Sequence, residues 1–234
     1  MLRKEALKHV GSLSNTSKMP GKSIGIQAKY CKTGSKLAKV EGSVCALCYG
    51  KNGWYNMPNV KRAEDLRREL MLNDPKWEDS IVTLIINEKE PYFRWFDNGD
   101  LQSVENLEKI VRVCERTPGV KHWLPTKEYG MVNDFLISKD ITWKELPSNM
   151  VIRPSDYMMG GKPPEFRGKF WRMNGMPTST ATFMDKNGKP EVIHGDLCKA
   201  KWNDGECGSC RACWMSEVSN VSYPNQRQKI KQEV

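Results

Sequence analysis

The sequence predicts an α/β protein, either a partial βα barrel or an open, mostly parallel sheet, with a cysteine-rich metal-binding segment at its C-terminal end. Three observations carry this prediction. Runs rich in aromatic and β-branched residues alternate with helix-forming segments along residues 23–190. Several of these runs end in polar residues, and in a parallel sheet the carboxyl ends of the strands gather into one crevice. The cysteines are also uneven: Cys31, Cys45 and Cys48 form one group, Cys198, Cys207, Cys210 and Cys213 another, and Cys114 stands apart.

Residues 1–22 read as a basic N-terminal segment, with His9 in a mobile terminus. The stretch SIGIQAKYC (23–31) predicts a strand that runs into the first cysteine. VKRAEDLRRELMLND (60–74) is rich in helix formers, and WEDSIVTLIINEK (77–89) resumes a helix after Pro75. PYFRWFDNGD (91–100) starts as an aromatic strand and ends in a turn-forming cluster. Ser103 can cap the next helix, whose Val104, Leu107, Ile110, Val111 and Cys114 share one face until Pro118 and Gly119 end it. Cys114 therefore reads as a small buried hydrophobe.

VKHWLPTKE (120–128) predicts a strand in which His122 alternates with its neighbours, and GMVNDFLIS (130–138) a helix. NMVIRPSDYM (149–158) and TSTATFM (178–184) predict two further strands, the second closed by the turn DKNGKP. The strand ends bring forward Asp97, Asn98 and Asp100, then Thr126, Lys127 and Glu128, then Ser155 and Asp156. Of these, Asp97, Asn98, Asp100, Thr126 and Lys127, with Gly99, are the expected contacts to a cofactor in the crevice. The chain divides into the N-terminal segment, an α/β core over 23–190, a cysteine-rich segment over 191–220 packed on it, and a basic tail over 221–234.

With 38% apolar residues, 8 tryptophans and 7 tyrosines among 234 residues, the chain has the means to build a packed core, which sets it apart from disordered sequences. The first residues lack the apolar stretch of a secretory signal, and no run is long enough to cross a bilayer. A cytoplasmic protein without a membrane partner is expected. The net charge of +9 suits nucleic acid or an acidic host protein as partner, and equally a solvated surface.

Reducing cytoplasm makes a disulfide framework a poor account of eight cysteines. In C-x8-C-x2-C-x2-C (Cys198, Cys207, Cys210, Cys213) one short loop can wrap three corners of a cubane while Cys198 takes the fourth. Zinc sites favour two separated pairs, so a 4Fe–4S cluster is the expectation and zinc the alternative. Gly208 allows the tight turns, and Arg211 can balance negative charge. Cys31, Cys45 and Cys48 can complete a zinc site, hold a second cluster, share the tail's metal, or leave Cys45 and Cys48 as a redox dithiol. His194, four residues before Cys198, is the one histidine near the thiols in sequence.

The segments GSKLAKVEGSVCALCYGKNGWYNMPNV, FRWFDNGDLQSVENLEKIVRVCERTPGVKHWLPTKEY, PTST, CGSCRACW and NVSYP together resemble the phage gene product 88 family, from about Lys22 onward. That resemblance implies a viral accessory protein in the infected host cell, with recurring cysteine groups. At the level of fold the chain is also similar to radical S-adenosylmethionine enzymes, which place a cysteine motif after an early strand and a polar, glycine-containing stretch after the second. SVCALCYG and DNGD echo both features. The usual C-x3-C-x2-C would need a cysteine where Glu41 stands, and by spacing Cys31 is too far upstream to replace it.

The expectation is therefore a phage-encoded iron–sulfur protein with a redox or radical role, an electron donor as partner and S-adenosylmethionine as a conceivable second cofactor. The alternative is a metal-stapled basic module that binds nucleic acid or a host protein.

Overall fold

A computed structural model describes residues 1–16 and 18–225 of the chain. Helix α1 (Arg3–Val10) precedes strand β1 (Lys22–Ile24), and a 3-10 turn then leads into the short helix α2 (Lys32–Leu37). Helices α3 (Pro58–Asn73) and α4 (Trp77–Glu88) follow, and then β2 (Tyr92–Trp95), α5 (Val104–Glu115), β3 (Lys121–Thr126), α6 (Tyr129–Ser138) and β4 (Met150–Met159). The last strands among the described residues are β5 (Thr178–Thr182), β6 (Asp196–Leu197) and β7 (Asn220–Pro224).

The strands form one seven-stranded sheet in the order β1-β2-β3-β4-β5-β7-β6, and every named pairing is parallel. The expected α/β class is met by an open parallel sheet. Because the first five strands follow sequence order and such crossovers are right-handed, their helices must fall on one face. They do: α1 packs on α4, α4 on α5, and α5 on α6.

Strand alternation divides the two faces. Phe93, Trp95, His122, Leu124 and Ile152 turn toward the helices and are buried, and all but His122 belong to the large apolar core. Tyr92, Arg94, Trp123 and Arg153 lie on the other face, against a 3-10 turn at Ala212–Trp214. Trp214 seals that contact: its ring centroid lies 5.4 Å from Tyr92 and 5.2 Å from Trp123, and its indole N–H donates to the Phe93 carbonyl at 3.0 Å.

Four local features depart from the sequence reading. The first strand stops at Ile24, and Cys31 lies beyond it, after the 3-10 turn Ala28–Tyr30. The N-terminus is anchored, since Ala6 and Val10 are fully buried and the His9 ring lies 2.8 Å from the Asp74 carboxylate. The expected short strand at 178–184 ends at Thr182. Two strands also form after residue 190, where none was expected, and β7 slots between β5 and β6. The basic tail beyond Asn225 lies outside the described residues. Ser103 caps α5 as expected, accepting from the Asn106 N–H at 3.1 Å, and Cys114 is fully buried in the core.

Candidate functional site

All named strands being parallel, their carboxyl ends share one edge of the sheet, where Asp100, Thr126, Lys127, Ser155 and Asp156 of the expected polar residues meet. Asp100 is the hub. Its Oδ1 accepts from the Thr126 hydroxyl at 2.6 Å and from the Leu101 N–H at 2.8 Å, and its Oδ2 accepts from the Lys127 N–H at 2.8 Å. Burial pushes the Asp100 carboxyl up to about 6, against the pull of these hydrogen bonds. The Lys127 ammonium donates to the Asp156 and Ser155 carbonyls, and burial holds its pKa below the usual lysine range. Glu128 turns away and takes the backbone N–H and the hydroxyl of Thr33, both at 2.7 Å.

Asp97 and Asn98 face a different neighbour, helix α3. The Asn98 amide donates to Glu64 at 2.9 Å, while Tyr55 reaches Asp97 Oδ2 at 3.3 Å and Tyr49 donates to the Asp97 carbonyl at 2.5 Å. Gly99 needs its glycine: φ is +84°, and a side chain would press on Ile26. Just before this stretch Phe96 adopts φ 53°, a strained setting for a bulky residue at the end of β2.

The upstream thiols gather over the same edge. The 42–44 loop is pinned beside the end of β4 by the Val44 N–H to the Tyr157 carbonyl (2.9 Å) and the Met159 N–H to the Gly42 carbonyl (2.9 Å). Helix α2 folds the chain back so that Gly34 lies between two cysteines. A side chain there would meet Cys31 Cβ at 3.0 Å and Cys45 Sγ at 3.4 Å. Burial pushes the Cys31 and Cys45 thiols up, and the negative charges of Cys48 and Asp100 add to that. Cys31 therefore joins Cys45 and Cys48 despite its distance in sequence.

The tail cysteines form a second group on the helix-free face. Cys198 leaves β6 with its N–H on the Ser222 carbonyl (2.8 Å), and the Cys207 N–H is held by the Lys18 carbonyl (2.9 Å). Cys213 Sγ and the Tyr223 hydroxyl lie 3.0 Å apart. Arg153 fixes the loop from below, its five N–H groups reaching the carbonyls of Cys213, Thr178, Val218, Ala212 and Met215 at 2.7–3.1 Å. Burial raises the thiols of Cys198 and Cys207, and that of Cys213 to about 12, with neighbouring cysteines adding to the rise. Arg94 and Arg211 lie close enough to Cys207 to oppose the shift.

The family model described as gene product 88 matches residues 2–216. The chain belongs to the gene product 88 family. No curated protein and no solved structure matches it. The family match takes in α1, ahead of the Lys22 start read from the motifs, and stops short of NVSYP in β7.

For this gene product 88 member, the test of a metal centre is the donor set. Among the described residues no three His, Cys, Asp or Glu side chains converge closely enough to hold a metal ion as they stand, so the metal-binding character expected of the tail is not displayed. Burial favours the neutral thiol at Cys31, Cys45, Cys198, Cys207 and Cys213, whereas a metal would hold thiolates at about 2.3 Å. The chemistry still fits. Four thiols interact electrostatically, their loop is fixed through its backbone, and two guanidinium groups stand ready to offset thiolate charge.

The thiols of each set have cysteines of their own set among their electrostatic neighbours. His194 is tied through its backbone, its N–H to the Ser222 hydroxyl at 2.9 Å. Sequence reasoning missed Arg94, Arg153, Tyr49 and Tyr223. Arg94 donates to Tyr49, the residue after Cys48, at 3.0 Å, and its charge opposes the upward shifts of Cys207 and Cys213. The available signal was Arg94 and Arg153 at alternating positions of otherwise apolar strands.

Proposed function

We propose that this phage-encoded gene product 88 protein binds an iron–sulfur cluster at Cys198, Cys207, Cys210 and Cys213 and serves in electron transfer. The observation that carries the reading is that Cys207, Cys210 and Cys213 each interact electrostatically with Cys198, near the cations Arg94 and Arg211, while Arg153 holds the backbone at Ala212 and Cys213. A bound cluster would supply one-electron chemistry. The chain would supply four thiolates, charge compensation, and exclusion of water by Trp214 and Tyr92. Four cysteine ligands leave no open coordination position, so electron transfer is favoured over substrate activation at this centre.

Anaerobic purification followed by iron, sulfide and zinc analysis tests the proposal. Matched iron and sulfide with a brown chromophore are expected, and Cys210→Ala should remove most of that content. Stoichiometric zinc without sulfide would establish the structural alternative. Full iron and sulfide in Cys210→Ala would refute the assignment of the tail.

A second reading is favoured by one observation: Cys31, Cys45 and Cys48 are electrostatic neighbours of one another and of Asp100, with Lys127 acting on Cys45, at the carboxyl edge of the sheet. Three thiolates would leave a coordination position for a small ligand, the opening that radical S-adenosylmethionine chemistry uses. Formation of 5′-deoxyadenosine from S-adenosylmethionine under reducing conditions would support it. Its absence from protein carrying a cluster at the trio would leave electron transfer alone.

A further inference from the structure

We infer that the groove along α2 is a binding surface for single-stranded nucleic acid, with Trp54 as a stacking platform at one end. The inference does not depend on whether the tail thiols hold metal. The groove is lined by Lys29, Lys32, Lys36 and Lys39 together with Tyr30, Cys31 and Ser35. All four lysines are exposed, and no acidic side chain lines the groove. Lys32 and Lys36 stand one turn apart on α2, with Lys29 on the turn before the helix and Lys39 on the turn after it.

Placing like charges one helical turn apart destabilises a helix, and α2 is only 6 residues long. A ladder of positive charge is thus maintained against local stability. The charge is mostly unspent. Lys29 pairs with Asp65 at 3.3 Å, and Lys32 lends positive charge to Glu105, but Lys36 and Lys39 make no ion pair among the described residues. A line of ammonium groups tracking a polyanion backbone is the electrostatic half of single-strand recognition.

The other half is an aromatic face, and Trp54 supplies it. The residue is 77% exposed on the 3-10 turn Gly53–Asn56, with Lys51 just before that turn. The preceding 3-10 turn, Tyr49–Lys51, lies against Ala28 at the head of the lysine segment, since a side chain at Gly50 would meet Ala28 Cβ at 3.4 Å. Tyr30 cannot serve as the platform, because the Arg68 guanidinium covers its ring at 4.2 Å. An exposed indole beside a basic groove suits an unstacked base better than a duplex, whose bases are hidden, or a lipid surface, which would require an apolar helix face.

The test is fluorescence anisotropy of a labelled oligothymidylate with the full chain, read as affinity and as its salt dependence. The triple variant Lys32→Gln, Lys36→Gln, Lys39→Gln should bind at least about tenfold more weakly at low salt and lose about 2 from the magnitude of the log–log salt slope. The matching Lys→Arg triple variant should retain binding. Trp54→Ala should lose about tenfold in affinity with its salt slope unchanged, since stacking releases no counterions. Equal affinity and slope for wild type and the glutamine variant would overturn the inference. So would tighter binding to anionic vesicles or to duplex DNA than to the single strand, or a Trp54→Ala variant that binds like wild type. Circular dichroism of each variant guards against misfolding, and iron content of the same preparations reads the thiol centres separately.

Discussion

Asp100 shows how much a single buried side chain can organise. Both its oxygens are committed, to the Thr126 hydroxyl, the Leu101 N–H and the Lys127 N–H, and together these tie β2 to the end of β3. Asparagine would keep one acceptor but present an NH2 group to a donor, leaving a buried N–H or hydroxyl unpaired. Such a mismatch costs about 1–3 kcal/mol. Asp100→Asn should therefore lower the unfolding free energy in urea by that amount, and the change would expose the loop carrying Lys127. An unchanged denaturation midpoint would mean that Asp100 is replaceable and its network incidental. The sequence made Asp100, Thr126 and Lys127 legible because each lies at or beyond the carboxyl end of a strand, and parallel strands end together. It could not separate Asn98 from them, since Asn98 turns to Glu64 on a helix whose packing angle no local pattern encodes.

At the scale of the element, the cysteine loop depends on a residue far from it in sequence. Arg153 is fully buried in β4 and all five of its N–H groups find carbonyls, four of them in the segment 212–218. Lysine offers three donors from one point and cannot reproduce a planar fork. Arg153→Lys should leave at least two carbonyls unpaired and destabilise the protein by roughly 2–5 kcal/mol. The thiols of Cys207, Cys210 and Cys213 should then react faster with a thiol reagent in the metal-free protein, while fully buried Cys114 stays protected. If Cys114 and the tail thiols accelerate together, the loss is global, and Arg153 is a core residue rather than the anchor of the loop. The loop's grouping of cysteines was plain from spacing alone. Its docking onto the helix-free face was not, because that depends on Trp214 reaching Phe93, Tyr92 and Trp123 across the sheet. The strands β6 and β7 escaped for a related reason: each is short, and their pairing with distant strands outweighs weak local patterns.

At the scale of the whole molecule, the one-sided arrangement of helices leaves the sheet with two different environments, and His122 reports on the apolar one. Its ring is fully buried between the sheet and the helices, stacked on Trp95 at 5.9 Å. The Thr117 hydroxyl donates to the Val113 carbonyl at 2.7 Å, so it must accept from His122 Nε2–H at 2.8 Å, which leaves Nδ1 as a buried lone pair without a partner. Burial accordingly holds the His122 pKa down at about 3. The unfolded chain takes up this proton near pH 6.5 and the native state only near pH 3. Above pH 6.5 both states are neutral and the group has no effect on stability. As pH falls below it, only the unfolded state binds the proton, so stability drops by up to about 1.4 kcal/mol per pH unit until the native ring titrates. His122→Gln keeps an N–H in reach of Thr117 and abolishes the titration. Urea unfolding at several pH values between 7 and about 4 should show the variant losing its stability more slowly than wild type on acidification, even if it starts lower at neutral pH. Parallel pH profiles for the two proteins would show that His122 is protonated in the native core. That would require a buried acceptor for Nδ1–H on the helical face, where Phe93 and Trp95 flank the ring.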